Sequence, residues 1–278
     1  MAVLKEFKDY WDGVIASWLK EQGKVFDSDQ NQILSQEWLN LSRNHMPEPY
    51  WGNPEECSIV IANYNPGGGA DRNRHAYFKC ADWEHTFIHE VKKSKYSDVA
   101  SGFPIINEPN RNDLESAPEW WEDYGGSKWW RKKHDWLKNS IINNEKLHDL
   151  FDKTKIKECG NKKPFAIEFC GWHSKSWPVN ACERLYKDKE LQSIIDKYFI
   201  NVLVEAIKCS DSKLGVCTGK QLYDLLISKY EGEIQDKELE SQKYNLHLLE
   251  LEDEGVKIKI LSVWGETNKR NRFPDLTK

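Results

Sequence analysis

Four short apolar runs, separated by segments that can form helices, restrict the fold of this chain more than any other feature. The runs are CSIVIA at 57–62, FAIEF at 165–169, KLGVC at 213–217 and VKIKILSV at 256–263. Strands that alternate with helices pair in parallel, because each helical connection carries the chain back across the sheet. The pattern predicts an α/β fold with three layers, α/β/α, around a four-stranded, mostly parallel sheet.

The first 45 residues have a helical rather than a strand pattern. Apolar side chains recur there at spacings of three or four, at Leu4, Phe7, Trp11, Val14 and Trp18. This spacing predicts an amphipathic helix whose apolar stripe docks on the main core. We therefore expect an N-terminal helical extension over 1–45 and one α/β domain over 46–278.

The composition of the chain argues against several classes of protein. No segment approaches the roughly 20 consecutive apolar residues of a membrane span, and the start, MAVLKEFKDYWDG, has acidic residues where a signal peptide needs an apolar core. The seven cysteines are odd in number and form no C-x-x-C pair, which argues against a disulfide framework or a metal cluster. We expect a cytoplasmic protein with reduced thiols and no membrane partner.

The charge distribution limits how this chain can meet nucleic acid. A net charge of −5 argues against a protein that coats nucleic acid through bulk charge. Any such site must be local, and basic residues cluster at 72–74, 131–133 and 269–272. The 13 tryptophans far exceed ordinary usage, and we expect most of them in the core and a minority in stacking contacts with bases.

The first apolar run passes directly into Asn63, Tyr64, Asn65 and Pro66, followed by three glycines at 67–69. Ligands of parallel sheets bind outside the carboxyl ends of the strands, and glycines let a ligand approach the backbone. A tight strand-to-helix turn explains the same residues without a ligand. No G-x-G-x-x-G motif or P-loop lysine is present, which argues against a dinucleotide or triphosphate site.

Two other apolar runs also end in polar residues. The second passes into His173, Ser174 and Lys175, and its position at a strand end favours a functional histidine over a structural one. The last run is followed by cations, amides and an aromatic ring, namely Lys269, Arg270, Asn271, Arg272 and Phe273. These groups suit a phosphodiester backbone, and a solvated basic tail is the alternative.

Four short motifs, in this order, resemble a bacterial branch of the uracil-DNA glycosylase superfamily. They are PEPYWGNP, the strand end NPG, the string E-F-x-x-x-H-S-K and a basic N-x-x-N loop after the final strand, within 44–275. The chain departs from the family pattern at two places. Cys170-Gly171-Trp172 replaces a Phe-Pro-Tyr-like segment, and the last loop lacks the histidine of the best-known members.

The resemblance implies an α/β/α enzyme that hydrolyses the N-glycosidic bond of a flipped-out pyrimidine in DNA and leaves an abasic site, with no cofactor and no metal. By position in the motif, Asn65 orients the attacking water, because an amide cannot act as a general base. The backbone N–H of Tyr64 points at a base carbonyl, and His173 donates to the same leaving-group oxygen. DNA is the expected partner, a monomer is favoured, and the oligomeric state stays open.

The resemblance also bears on the substrate. Uracil-restricted members carry a tyrosine at the position of Gly67, whose ring blocks groups on carbon 5 of the pyrimidine, so Gly67 and Gly68 imply room for a bulky substituent. Glu168 can accept from a cytosine amino group but repels a uracil carbonyl; the alternative for Glu168 is a solvent-facing strand position. The implied substrate is a modified cytosine, such as the glucosylated hydroxymethylcytosine that some phage-defence members remove from phage DNA, or else uracil.

The remaining assignments follow the same motifs. We assign substrate contacts to Asn63, Phe169 and Ser174 as well, and phosphate contacts to Arg72, Lys175 and the 269–272 cluster, with Phe273 filling the vacated stack.

Three alternatives stay open at this point. A non-catalytic sensor of nucleotides or modified DNA would keep the fold and the binding groups, and a hydrolase of free nucleosides or nucleotides would use similar chemistry. His85 and His89 lie four apart and suit zinc with a third ligand, but the glutamate of the metalloprotease motif is absent. We therefore expect no metal.

Overall fold

The four apolar runs form four neighbouring parallel strands in a computed structural model that describes residues 1–21, 23–43, 45–64, 87–101, 136, 164–174, 177–241 and 244–265. One sheet contains seven strands: β1 (Tyr50–Trp51), β2 (Val60–Asn63), β3 (Phe165–Glu168), β4 (Leu214–Thr218), β5 (Gln235–Leu239), β6 (Tyr244–Asp253) and β7 (Val256–Gly265). Their order across the sheet is β1-β3-β2-β4-β7-β6-β5.

The predicted α/β class is confirmed, but the sheet has seven strands rather than four. β1 pairs antiparallel with β3, and β6 and β5 extend the sheet antiparallel beyond β7. Strands β5 and β6 lie within the acidic stretch 231–254, and the sequence analysis did not predict them. β5 is exposed along most of its length and β6 is buried at only part of its positions, so neither has the continuous apolar sequence of the central strands. Glu254 and Gly255, with φ of 50° and 77°, form the two-residue turn that joins β6 to β7.

The described residues form eight α-helices around this sheet. They are α1 (Ala2–Lys20), α2 (Ser28–Leu34), α3 (Phe87–Lys93), α4 (Tyr96–Ser101), α5 (Ala181–Tyr186), α6 (Lys189–Ile195), α7 (Asn201–Cys209) and α8 (Lys220–Lys229). A π-helical turn (Asp196–Ile200) joins α6 to α7, which packs on β2, β4 and β7, while α8 packs on β4 and β7. Apart from residue 136, residues 102–163 lie outside the described residues.

The amphipathic stripe predicted for α1 is confirmed. Leu4, Phe7, Trp11, Val14 and Trp18 are all buried, in the same hydrophobic cluster as the central strands. Because α1 packs against α4 and α7, its apolar face is part of the main core.

A buried hydrogen-bond network ties the N-terminal helices to the loop after β3. Trp172 donates through Nε1 to Gln30 Oε1 (2.8 Å), and Gln30 donates through Nε2 to the hydroxyl of Tyr10 (3.1 Å). Tyr10 in turn donates to Asp27 (2.6 Å), which caps the start of α2. Trp172 and Gln30 are almost fully buried, so this network holds the loop after β3 against the N-terminal helices.

We expect Trp172→Phe to lower the free energy of unfolding by about 1–3 kcal/mol, because the buried Gln30 amide oxygen loses its donor. Urea denaturation monitored by far-UV circular dichroism measures the change. Trp38→Phe is the matched control, since Trp38 makes an equivalent bond to Gln36 in a half-buried position. Equal losses in the two variants would contradict a special role for the buried bond.

Candidate functional site

Three polar side chains meet where the parallel strands β2, β3 and β4 end. Asn63 and Glu168 are register partners on β2 and β3, and Thr218 is the last residue of β4. Asn63 donates through Nδ2 to Glu168 Oε1 (3.1 Å), and the Thr218 hydroxyl donates to Asn63 Oδ1 (3.1 Å). These residues form one hydrogen-bonded chain across three strand ends, the edge at which α/β sheets bind ligands.

Glu168 lies in a buried position rather than on a solvent-facing strand surface. All four residues of β3 are buried, and Glu168 is 6% exposed. A buried carboxylate is costly unless donors surround it, and the Asn63 amide supplies one. An ionised carboxylate only accepts hydrogen bonds, which is the property that recognition of a ligand amino group requires.

The Tyr64 side chain anchors the start of the loop that follows β2. Its hydroxyl accepts from the backbone N–H of Gln221 (3.1 Å), at the start of α8, and its ring stacks on Trp177 at 6.2 Å. Burial raises the pKa of the Tyr64 phenol above its ordinary value, so the group stays neutral. The side chain of Tyr64 therefore has a structural role, while the predicted role of its backbone N–H stays a prediction.

The loops after β2 and β3 run side by side. Phe169 donates its backbone N–H to the carbonyl of Asn63 (2.8 Å), and Cys170 does the same to Tyr64 (2.9 Å). The Phe169 ring is buried, with edge contacts to Trp177 and Phe199 at 5.9 and 5.2 Å. These contacts give the Phe169 ring a packing role, and the predicted substrate contact of Phe169 stays a prediction.

His173 lies in a polar cluster beside this edge. Its Nε2 is 3.2 Å from Glu48 Oε1, and both side chains are almost fully buried. The His45 ring lies 5.4 Å from the His173 ring between centroids, and His45 Nδ1 is hydrogen-bonded to the hydroxyl of Ser42 (2.6 Å). The histidine predicted from the sequence is therefore paired with a carboxylate.

Ser174 connects the loop after β3 to the N-terminal region. Its hydroxyl donates to the carbonyl of Leu39 (2.9 Å), and its backbone pairs with Leu41 in a single bridge. This bond gives the hydroxyl a structural role, and the predicted substrate contact of Ser174 stays a prediction.

Many of the predicted site residues lie outside the described residues. They are Asn65, Gly67, Gly68, Arg72, His85, Lys175, Lys269, Arg270, Asn271, Arg272 and Phe273, together with the side chain of His89. Elsewhere, in the part of the chain that the structure describes, no cluster of three or more His, Cys, Asp or Glu side chains is arranged to hold a metal ion. Burial raises the pKa of the Cys170 thiol to about 12, so this cysteine stays protonated and is unsuited to act as a nucleophile.

Sequence reasoning missed Glu48 and Thr218 as site residues. Glu48 lies in PEPYWGNP, where its neighbouring prolines indicate only a loop; in the structure its backbone N–H donates to the carbonyl of Gly171 (2.8 Å). A Cβ on Gly171 would lie 3.0 Å from Pro49, which explains the glycine in Cys170-Gly171-Trp172. A carboxylate between two prolines in a motif was the available signal for Glu48.

Comparison with known proteins found no matching family model, no matching curated protein and no matching solved structure. None of the helices in the described residues is long and apolar enough to cross a membrane.

Proposed function

We propose that this protein is a DNA glycosylase that removes a flipped-out pyrimidine and leaves an abasic site. The observation that carries this proposal is the hydrogen-bonded chain Thr218–Asn63–Glu168 at the carboxyl ends of three parallel strands, in which Asn63 and Glu168 are buried. The Asn63 amide and the Glu168 carboxylate supply the donors and acceptors that recognition of a base edge requires. Two of the four sequence motifs that resemble the uracil-DNA glycosylase superfamily, the NPG strand end and the E-F-x-x-x-H-S-K string, begin at the ends of β2 and β3.

The chemistry needs few protein groups. Loss of a base proceeds through an oxocarbenium-like sugar, so the protein must stabilise the departing negative charge and position a water molecule. We assign the first role to His173 and the second to Asn65. Flipping costs a few kcal/mol of unstacking, and phosphate contacts from the 269–272 cluster would offset it.

The proposed substrate is a cytosine with a bulky group on carbon 5. The carboxylate of Glu168 accepts from the exocyclic amino group of cytosine, and the family resemblance implies that the glycines at 67–69 leave room for the carbon-5 substituent. The Asn63 amide supports this choice, because its nitrogen donates to Glu168 (3.1 Å) while its oxygen lies 3.1 Å from the Thr218 hydroxyl, which can donate to it or to the carbonyl of Ala62 (3.3 Å). The Glu168 carboxylate is thereby held at the strand ends, where it can accept from the amino group of the base.

Oligonucleotides with defined bases test the proposal directly. The protein is incubated with duplex and single-stranded DNA that carries uracil, mismatched thymine, hydroxymethylcytosine or glucosylated hydroxymethylcytosine, and alkali then cleaves at abasic sites. We expect breaks with the glucosylated base. DNA binding without breaks on any substrate would favour a sensor, and activity on free nucleosides that salt does not affect would favour a nucleoside hydrolase.

We expect Glu168→Gln to reduce excision of the cytosine-type base by about ten- to a hundredfold, because the neutral amide is a weaker acceptor than a carboxylate. The glutamine keeps the shape of the side chain and an oxygen for Asn63. Single-turnover rates on the cytosine substrate and on uracil give the change in specificity. Glu238→Gln on the exposed strand β5 is the control, and equal rates for both variants would exclude base reading by Glu168.

A further inference from the structure

Arg184 is an exposed cation whose guanidinium packs on an aromatic ring. Its Cζ lies 4.1 Å from the centroid of the Trp38 ring, and Trp38 is half-buried while Arg184 is exposed. The ring is held in place, because Trp38 belongs to the 3₁₀ helix Glu37–Leu39 and donates through Nε1 to Gln36 Oε1 (3.0 Å). A guanidinium that packs on an indole ring is more restricted in orientation than a free arginine side chain.

The contact with Trp38 leaves the hydrogen-bond donors of Arg184 without an acceptor. A guanidinium carries five N–H donors at its rim, and an aromatic ring offers them no acceptor oxygen. Within the described part of the chain, the Arg184 side chain forms no ion pair and no hydrogen bond. The adjacent carboxylate, Glu183, pairs with Lys187 instead (2.5 Å). The guanidinium therefore presents a charged group of oriented donors that suits an anion.

The segment that carries Trp38 is attached to the loop after β3. The carbonyl of Leu39, the next residue, accepts from the Ser174 hydroxyl (2.9 Å). Three residues further on, Ser42 donates its backbone N–H to the carbonyl of His173 (2.8 Å). The Trp38 ring is thereby fixed relative to the loop that leaves the carboxyl end of β3.

The helix that carries Arg184 is attached to the same edge of the sheet from the other side. Near the start of α5, Cys182 donates its backbone N–H to Gln221 Oε1 (3.0 Å). Gln221 in turn donates its own backbone N–H to the hydroxyl of Tyr64 (3.1 Å), which follows β2 directly. Arg184 therefore lies at the flank of the candidate site, one turn into a helix that begins there.

We infer that Arg184, positioned by Trp38, binds a phosphodiester group of the DNA strand that carries the flipped-out base. The inference rests on the proposed function for its partner, and it adds a phosphate contact outside the basic clusters of the sequence. Arginine suits this role, because its planar group can donate to two phosphate oxygens at once. Trp38 is a positioning residue, because a side chain that is already ordered loses less entropy when it binds.

The salt dependence of DNA binding measures how many phosphates the protein contacts. Fluorescence anisotropy with a labelled duplex that carries the glucosylated base gives the association constant at about 50–200 mM salt. For Arg184→Gln we expect the slope of its logarithm against the logarithm of the salt concentration to fall in magnitude by about 0.9, and the affinity at about 0.1 M salt to fall about tenfold. Lys237→Gln is the matched control, because it removes the same charge from exposed β5 at the far edge of the sheet, and its slope should equal that of the wild type.

Trp38→Leu separates a positioned arginine from a free surface charge. The variant keeps the charge of Arg184, so we expect an unchanged slope and an affinity that falls about two- to fivefold. Trp38→Leu combined with Arg184→Gln should bind no more weakly than Arg184→Gln alone, because the ring then has no guanidinium to position. Fully additive losses, in variants with the far-UV circular dichroism of the wild type, would show that Trp38 does not act through Arg184.

Single neutral phosphates in the DNA locate the contact. A methylphosphonate is placed at one position at a time, on either strand, around the target base. We expect the wild type to lose about tenfold in affinity at one phosphate near the target base on the same strand, and Arg184→Gln to lose less than about twofold there. Equal losses in the two proteins at every position would overturn the inference.

The inference and the proposed function fail in different ways. If Arg184→Gln lowers the slope but no oligonucleotide is cleaved, the proposed function fails and the phosphate contact stands. If bases are excised but the slope of Arg184→Gln equals that of the wild type, the contact fails and the proposed function stands. A wild-type protein that binds no DNA would contradict both.

Discussion

Replacing Asn65 by Ala is expected to reduce base excision by about a hundredfold or more, while DNA binding changes by less than about threefold. Asn65 lies outside the described residues, and its role comes from its place after Asn63 and Tyr64 in the strand-end motif. An amide that orients water contributes to the rate through the position of the nucleophile, and it adds little to the binding of the substrate. The substitution should therefore lower the rate of base excision without a matching loss of affinity for DNA.

Single-turnover excision and fluorescence anisotropy with the same labelled oligonucleotide measure the two quantities. Asn201→Ala is the control, because Asn201 is an exposed asparagine at the start of α7. A loss of binding that parallels the loss of rate would assign Asn65 to DNA contact. An excision rate that does not change would show that Asn65 has no chemical role.

Gly219→Ala is expected to lower the free energy of unfolding by about 2–5 kcal/mol, through a steric clash and backbone strain. Gly219 has a φ of 113°, and a Cβ at this position would overlap the hydroxyl end of the Tyr64 ring. Tyr64 cannot withdraw easily, because its hydroxyl accepts from Gln221 and its ring stacks on Trp177. Any movement of the Tyr64 side chain would disturb these two contacts.

Gly232→Ala isolates the contribution of strain. Gly232 has a φ of 82° and open space where its Cβ would be, so the same substitution there adds strain without a clash. Urea denaturation of both variants gives the difference between their free energies of unfolding, which is the contribution of the clash. In a Tyr64→Ala background, we expect the cost of Gly219→Ala to fall to about that of Gly232→Ala, and an unchanged cost would show that Tyr64 is not the obstacle.

Apolar periodicity was sufficient to predict the central strands and the first helix. The runs at 57–62, 165–169, 213–217 and 256–263 form the four parallel strands, because strands buried on both faces need continuous apolar sequence. Periodicity could not reveal β5, whose residues are charged and exposed, since an edge strand is held by backbone pairing to its neighbour.

The candidate site was predictable in part for the same reason. Strand ends indicated Asn63, Glu168 and His173, since Glu168 lies near the end of an apolar run and the other two follow a run directly or within a few residues. The partners of these residues were not predictable, because Thr218 and Glu48 come from distant parts of the chain and meet them only through strand order.

By itself, the sequence determined the four central parallel strands and several of the polar residues at their carboxyl ends, because a local apolar pattern reports burial. Only the tertiary structure decided that the Asn63 amide is shared between Thr218 and Glu168, and that His173 faces Glu48. Directions of side-chain hydrogen bonds depend on parallel register and on the antiparallel pairing of β1 with β3, and these are properties of the packed sheet. The chemistry proposed for this protein therefore rests on contacts that no single segment of the chain encodes.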